Sequence, residues 1–141
     1  MAFVVEASAT ACWLLPDEAH PLATAARKRL LRDPAVVPRI WWFEIRTLLI
    51  VNERRGRLDA AKSNRALRIL RQLPIEFDQR INEERLLDLA RAHRLSIYDA
   101  AYLELASREN VPLATLDEAL ACAARVERLA LEASGINDRF P

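Results

Sequence analysis

The sequence predicts an α/β sandwich around a short, mainly parallel sheet of four to five strands, and two observations carry that expectation. The 141 residues contain only two glycines and run through long Ala-, Leu-, Arg- and Glu-rich segments, so helix dominates. Between those segments, short β-prone stretches recur, bounded by proline or by helix-capping residues, and strands that alternate with helices build parallel sheets. Length allows one domain over residues 1–141, large enough to bury a core without staples.

The elements follow in order. Phe3 to Val5 is apolar and β-prone, and a helical pattern begins after Ser8, a favourable N-cap, which leaves Glu6 at the end of the first strand. A second helix runs from about His20 to Leu31 and stops before Asp33-Pro34. Ala35 to Val37, between Pro34 and Pro38, is a second strand. Trp41 to Arg55 forms a helix ending at Gly56, with Arg54 and Arg55 in the last turn, where cations suit the dipole. Asp59 to Leu73 forms another, stopped by Pro74, and Ile75 to Phe77 is a third strand. Helices follow over Asn82 to His93 and Ser96 to Glu109, then a fourth strand over Pro112 to Leu116 and a last helix from Asp117. Val126 to Leu131 fits either an extension of that helix or a fifth strand.

Composition narrows the class. The chain is 52% hydrophobic and 29% charged, which excludes a disordered tail, and its longest apolar run, Ile40 to Val51, is broken by Glu44 and Arg46 and is too short to span a bilayer. The N-terminus lacks a basic region and carries Glu6 within its apolar run, so it does not read as a signal peptide. Cys12 and Cys122 have neither metal-ligand spacing nor a disulfide framework around them, which suits a reducing compartment; the expected location is the cytoplasm. Net charge is +1, against holding nucleic acid by overall charge alone, yet 19 of the 21 cations are arginine, whose planar fork matches phosphate.

Ligands of α/β sheets gather outside the carboxyl ends of the strands, which directs attention to four acids. Each has a plainer reading. Glu6 closes the first strand as the chain returns to solvent. Asp117 follows Leu113-Ala114-Thr115-Leu116, where Thr115 to Glu118 fits a capping box, and Ser96 to Asp99 is a helix start with an acid in its first turn. Glu44 shares a helix face with Trp41, Ile45 and Leu48, where a carboxylate loses hydration unless a cation or donor compensates it; one of the arginines or a metal ion would serve. Taken together the four make one pocket. If the first and fourth strands are parallel neighbours, Glu6 and Asp117 emerge side by side and Glu44 and Asp99 converge on them. Clustered carboxylates repel unless a divalent cation is present, and oxygen-only ligands select Mg²⁺ or Mn²⁺ over zinc. Phosphodiester hydrolysis suits such a cluster. His20 and His93 are read as ordinary surface residues.

At this point the residues resemble a known family. Phe3 to Ser8 followed by Trp13 to Glu18, Pro38 through Glu44, Leu95 to Tyr102, and Leu113 to Asp117 are similar, in the same order, to PIN-domain ribonucleases of the VapC toxin type. Tyr98-Asp99-Ala100-Ala101-Tyr102 and Thr115-Leu116-Asp117 are the most specific pieces. The resemblance implies a three-layer α/β/α fold and a Mg²⁺- or Mn²⁺-dependent endoribonuclease acting on structured RNA such as transfer or ribosomal RNA. It also implies a homodimer and neutralisation by a VapB-like antitoxin. The metal-binding, catalytic acids map onto Glu6, Glu44, Asp99 and Asp117, with Ser8 and Thr115 as supporting hydroxyls.

One position departs from the family, which normally has Asp where this chain has Glu6. The carboxylate moves outward by about 1.5 Å, one covalent bond, and Mg²⁺ tolerates little displacement of its ligands. A catalytically attenuated domain that binds RNA or antitoxin is therefore the alternative reading. A phosphoacceptor receiver domain also clusters acids at strand ends, but it wants a lysine at a late strand end, and Lys28 and Lys62 are not placed for it. Between Arg54 and Arg71 seven cations, Arg54, Arg55, Arg57, Lys62, Arg65, Arg68 and Arg71, face one acid, Asp59. They form either a solvated helix face or an RNA track, with Arg65 and Arg68 as candidate contacts whose removal would weaken the salt dependence of binding. Trp41, Trp42 and Phe43 fit core or dimer packing better than a platform for bases, and Trp13 and Leu14 fit a groove for an antitoxin helix. The near-neutral total is then the sum of an acidic pocket and a basic segment.

Overall fold

The structure, a computed structural model, describes residues 1–133, so residues 134–141 of the expected domain lie outside the described residues. Four strands, β1 (Phe3–Val5), β2 (Ala35–Pro38), β3 (Ile75–Asp78) and β4 (Leu113–Ala114), form one all-parallel sheet in the order β3-β2-β1-β4. Seven helices connect and flank them: α1 (Ala7–Leu14), α2 (Pro21–Arg29), α3 (Arg39–Arg54), α4 (Ala60–Arg71), α5 (Glu83–His93), α6 (Ile97–Glu109) and α7 (Glu118–Val126). Parallel crossovers are right-handed, so the connections running outward from β1 to β2 and β3 put α1 to α4 on one face. The return from β3 to β4 puts α5 and α6 on the other, with α7 against α6. The result is the three-layer α/β/α sandwich. Phe3, Val4 and Val5 have no exposed surface, as a central strand covered on both faces requires.

Element ends carry their chemistry locally. Asp59, Asn82, Ser96 and Asp117 each accept a backbone N–H at the start of α4, α5, α6 and α7. Arg94 and Asn110 end α5 and α6 in the left-handed region, both at φ 53°. Gly56, at φ 74°, follows α3, a conformation that costs glycine nothing.

Two boundaries differ from expectation, and one open choice is resolved. Helix α1 begins at Ala7, capped by Glu6 rather than Ser8, because the Glu6 carboxylate reaches the Ser8 N–H at 2.7 Å. Of the two candidate caps of α7, Asp117 serves, and the Thr115 hydroxyl is engaged inside the pocket described below. Strand β4 is only two residues long, since Pro112 cannot donate to a ladder and Thr115 turns away into that pocket. Val126 ends α7, and beyond it Ala130 makes a single parallel bridge to Leu113, so the sheet has four strands with one extra bridge at its β4 edge. No described helix is long and apolar enough to cross a membrane. Cys12 and Cys122 are free thiols.

Candidate active site

Strand order reverses between β1 and β4, because the chain leaves β1 in one direction toward β2 and returns on its other side. The carboxyl ends on either side of that point open a crevice where α/β folds place ligands. Glu6 follows β1, and Thr115 and Asp117 follow β4. Glu6 is buried, and its Oε2 accepts both the Ser8 N–H at 2.7 Å and the Thr115 hydroxyl at 3.2 Å. Thr115 Oγ1 in turn accepts the Asp117 N–H at 3.1 Å, and the Ser8 and Thr115 hydroxyls lie 3.5 Å apart. Ser8 Oγ accepts the Leu116 N–H at 2.8 Å. The start of α1 is thereby tied to the end of β4 by these side chains as well as by the Glu6 N–H, which donates to the Ala114 carbonyl at 2.9 Å.

Glu44 arrives from α3. One turn before it, buried Trp41 donates its indole N–H to Thr10 Oγ1 at 3.0 Å, which fixes the start of α3 against α1. Glu44 accordingly lines, with Ser8, a pocket of about 360 Å³ beside the strand ends. Its compensating group is neither an arginine nor another cation: the fully buried Tyr102 of α6 donates its hydroxyl to Glu44 Oε1 at 2.5 Å. Burial and the Glu44 charge push the Tyr102 phenol far above its ordinary value, so it keeps its proton and donates it to Glu44. Asp99, one turn before Tyr102, is close enough for its charge to act on Glu44 and for the Asp117 charge to act on it.

Electrostatics connects the four acids. Burial raises Glu6, and the Glu44 charge adds to it against the opposing bonds from Ser8 and Thr115. Burial and the Asp99 charge raise Glu44 against its Tyr102 bond, and burial and the Asp117 charge raise Asp99. Acids elsewhere go the other way because they have cation partners. The N-terminal ammonium holds Asp33 down, a bond from His93 holds Glu127 down, and Asp78 stays low despite its burial because Arg108 and Arg80 face it. None of the four pocket acids has an ion pair among the described residues, in a chain with 19 arginines.

The donor set, carboxylates with two hydroxyls and no cation, fits a hard divalent ion by charge and by ligand type. With the side chains as they stand only Glu44 of the four acids lines the pocket, and no three Asp, Glu, His or Cys groups among the described residues converge on an ion-sized site. A larger hollow of about 690 Å³ along α2 contains none of these acids; its polar lining is His20, Thr24 and the cations Lys28, Arg29 and Arg32.

Other sequence expectations sort as follows. Arg65 and Arg68 are exposed on α4, and of the seven cations from Arg54 to Arg71 only Arg57 pairs with an acid among the described residues, Glu18 at 3.1 Å. Trp42 and Phe43 are not core residues: they stand 43% and 61% exposed, because the buried stripe of α3 runs through Trp41, Ile45 and Leu49 and turns them outward. His20 is exposed and caps α2, whereas His93 is largely covered and pairs with Glu127 at 2.8 Å. The sequence alone does not assign Tyr102 a role. The signal for it was a half-buried Glu44 in need of a donor and the three-residue spacing from Asp99, which puts both on one face of α6.

The chain matches the PIN domain family over residues 4–126, a span that contains all four acids. The crystal structure of PAE2754 from Pyrobaculum aerophilum is similar in fold, with a TM-score of 0.71 and 21% identity over 96% of this chain and 92% of that one. No protein of curated function matches. PIN domains are generally nucleases that use divalent metal ions. This chain, with its four-stranded parallel sheet and its acids at the β1–β4 crevice, belongs to the PIN domain family.

Proposed function

We propose that the chain is a Mg²⁺- or Mn²⁺-dependent endoribonuclease of the VapC kind, the toxin of a type II toxin-antitoxin pair, acting in the cytoplasm on a structured RNA such as transfer or ribosomal RNA. The observation that carries this reading is the group of pocket acids without any cation partner, Glu6, Glu44 and Asp99 all raised by burial and by one another's or Asp117's charge. Glu6, Glu44, Asp99 and Asp117 would hold the ion. When bound, a divalent ion supplies charge neutralisation at the phosphate and a water acidic enough to attack at neutral pH. Ser8 and Thr115 hold Glu6 in position, and Tyr102 orients Glu44 by hydrogen bonding one of its oxygens.

An antitoxin of the VapB type has a suitable groove. Trp13, Leu14, Leu58 and Ile69 line a hollow of about 410 Å³ whose rim carries Lys62 and Arg65, which suits an amphipathic helix with acidic flanks. The homodimer implied by the VapC resemblance belongs to the same proposal. One observation favours the attenuated alternative: Glu6 stands where the family normally has Asp, and its Oε2 is already shared between Ser8 and Thr115.

The test is RNA cleavage with Mg²⁺ or Mn²⁺ against an EDTA control, repeated with Asp99→Ala. Cleavage that needs the metal and Asp99 supports the nuclease; cleavage that survives both chelation and the mutation refutes it. RNA or antitoxin binding without cleavage, by a folded protein, selects the attenuated module.

A further inference from the structure

Phe43 and Tyr98 are each 61% exposed, a poor arrangement for two aromatic rings unless something covers them. They line the same 360 Å³ pocket as Ser8 and Glu44, so an apolar slot opens directly onto the acidic site. The slot is large enough for one nucleobase. Thr47, also on its wall, adds a hydroxyl within a lining that is otherwise mostly apolar. The slot has the Glu44 carboxylate on one wall, and cations stand near it on the same helix. Arg39 and Arg46 lie on the same helix, neither pairs with an acid among the described residues, and Arg46 is stacked over the Trp42 ring at 3.9 Å from its centroid. Phe43 also borders a second hollow, of about 480 Å³, lined by Arg39, Trp42 and Phe77.

We propose that Phe43 and Tyr98 form a base-binding slot that grips one unpaired nucleotide next to the phosphate presented to the acidic pocket. The inference rests on the ribonuclease reading and adds a positioning subsite to it. Flat apolar faces accept a base irrespective of its identity, while the unpaired arginines beside them take the backbone. A second copy of the chain fits this face less well. A two-fold contact brings the same patch of each copy together, so Arg39 and Arg46 would meet their own counterparts. A polyanion meets them with opposite charge.

The experiment compares two single-stranded probes of equal length in EDTA: an oligouridine and an abasic ribose-phosphate chain. Both carry the phosphates and only the first carries bases. Wild type is expected to prefer oligouridine, and Phe43→Ala or Tyr98→Ala to lose about five- to hundredfold in affinity for it, the range for one base–aromatic stack. Binding of the abasic chain stays unchanged, and Tyr98→Phe retains the preference. Both rings are exposed, so unaltered melting temperatures will show that the variants fold. Equal losses on both probes, or none on either, would overturn the slot. So would a change from dimer to monomer in the variants with base preference intact. Wild type that binds both probes alike, or neither, refutes the slot, while the nuclease reading stands or falls on the metal-dependent cleavage assay.

Discussion

Replacing Tyr102 by Phe removes one oxygen from the interior and leaves its ring in place. That oxygen is the donor for Glu44 Oε1. A hydrogen bond to a charged acceptor contributes about 1.5–3 kcal/mol net, and because Glu44 is only half-buried, water takes up part of the loss, which brings the expected cost to about 1–2 kcal/mol. The cost depends on pH. Folding raises Glu44 above its ordinary value of 4.5, so the stability attached to it is complete below the unfolded pKa and is lost as pH rises through the folded one. The Tyr102 bond favours the ionised form and limits that loss. Without it Glu44 rises further and the loss grows, so Tyr102→Phe should be most damaging at about pH 8 and least at about pH 4. Urea unfolding in EDTA at both pH values measures this, with an unchanged m-value to show that the exposed surface is the same. At the higher pH the melting temperature should fall by roughly 3–8 °C for a domain of this size. An equal cost at both pH values, or none at either, would refute the assignment of Tyr102 as the group that carries the Glu44 charge.

Three further outcomes follow from the same electrostatics and packing. Asp99→Asn removes a charge that folding has made unfavourable, so in EDTA at neutral pH it should stabilise the protein by up to about 1 kcal/mol while reducing the extra stability that added Mn²⁺ gives; thermal melts with and without metal check both. Glu6→Asp should raise metal-dependent RNA cleavage, since Asp is an equally good cap for α1 and withdraws the carboxylate by one methylene; equal or lower activity in matched preparations would count against it. Arg108→Ala should destabilise by about 3–5 kcal/mol in urea titrations, because it strands Glu104, which is 1% exposed, and removes a partner of Asp78; adding Glu104→Gln should recover part of the loss.

Local chemistry made most of the fold readable. The Phe-Val-Val run, the capping side chains Asp59, Asn82 and Ser96, and the prolines before β2 and β3 act within a few residues of where they stand. The errors fall where a distant partner decides. Ser8 is the better intrinsic cap, but Glu6 takes that position while Ser8 bonds to Leu116, 108 residues away. Thr115 fits a capping box, yet its hydroxyl is used on Glu6. The hydrophobic period of α3 marks one face without saying how wide it is, so the sequence leaves open whether Trp42 and Phe43 lie in the core or in a dimer contact. Glu6, Asp99 and Asp117 stand out in sequence at a strand end and at helix starts, and Glu44 as a carboxylate on an otherwise apolar helix face. The Tyr102 bond spans 58 residues, and the Asp78 contact to Arg108 spans 30, so neither leaves a local trace. The Glu104–Arg108 spacing of four is visible in sequence, but such pairs are usually surface pairs, and only packing shows this one is buried.

The crevice between β1 and β4 joins the sixth residue to the 115th and 117th. During synthesis the two sides therefore emerge far apart in time, and a ribosome-bound chain that has not yet released β4 has no partner for Glu6 and no wall for the pocket. Three of the strands can pair beforehand, but the acids cannot come together. For the metal-dependent ribonuclease proposed above, this order of assembly would delay activity until nearly the whole domain has been made.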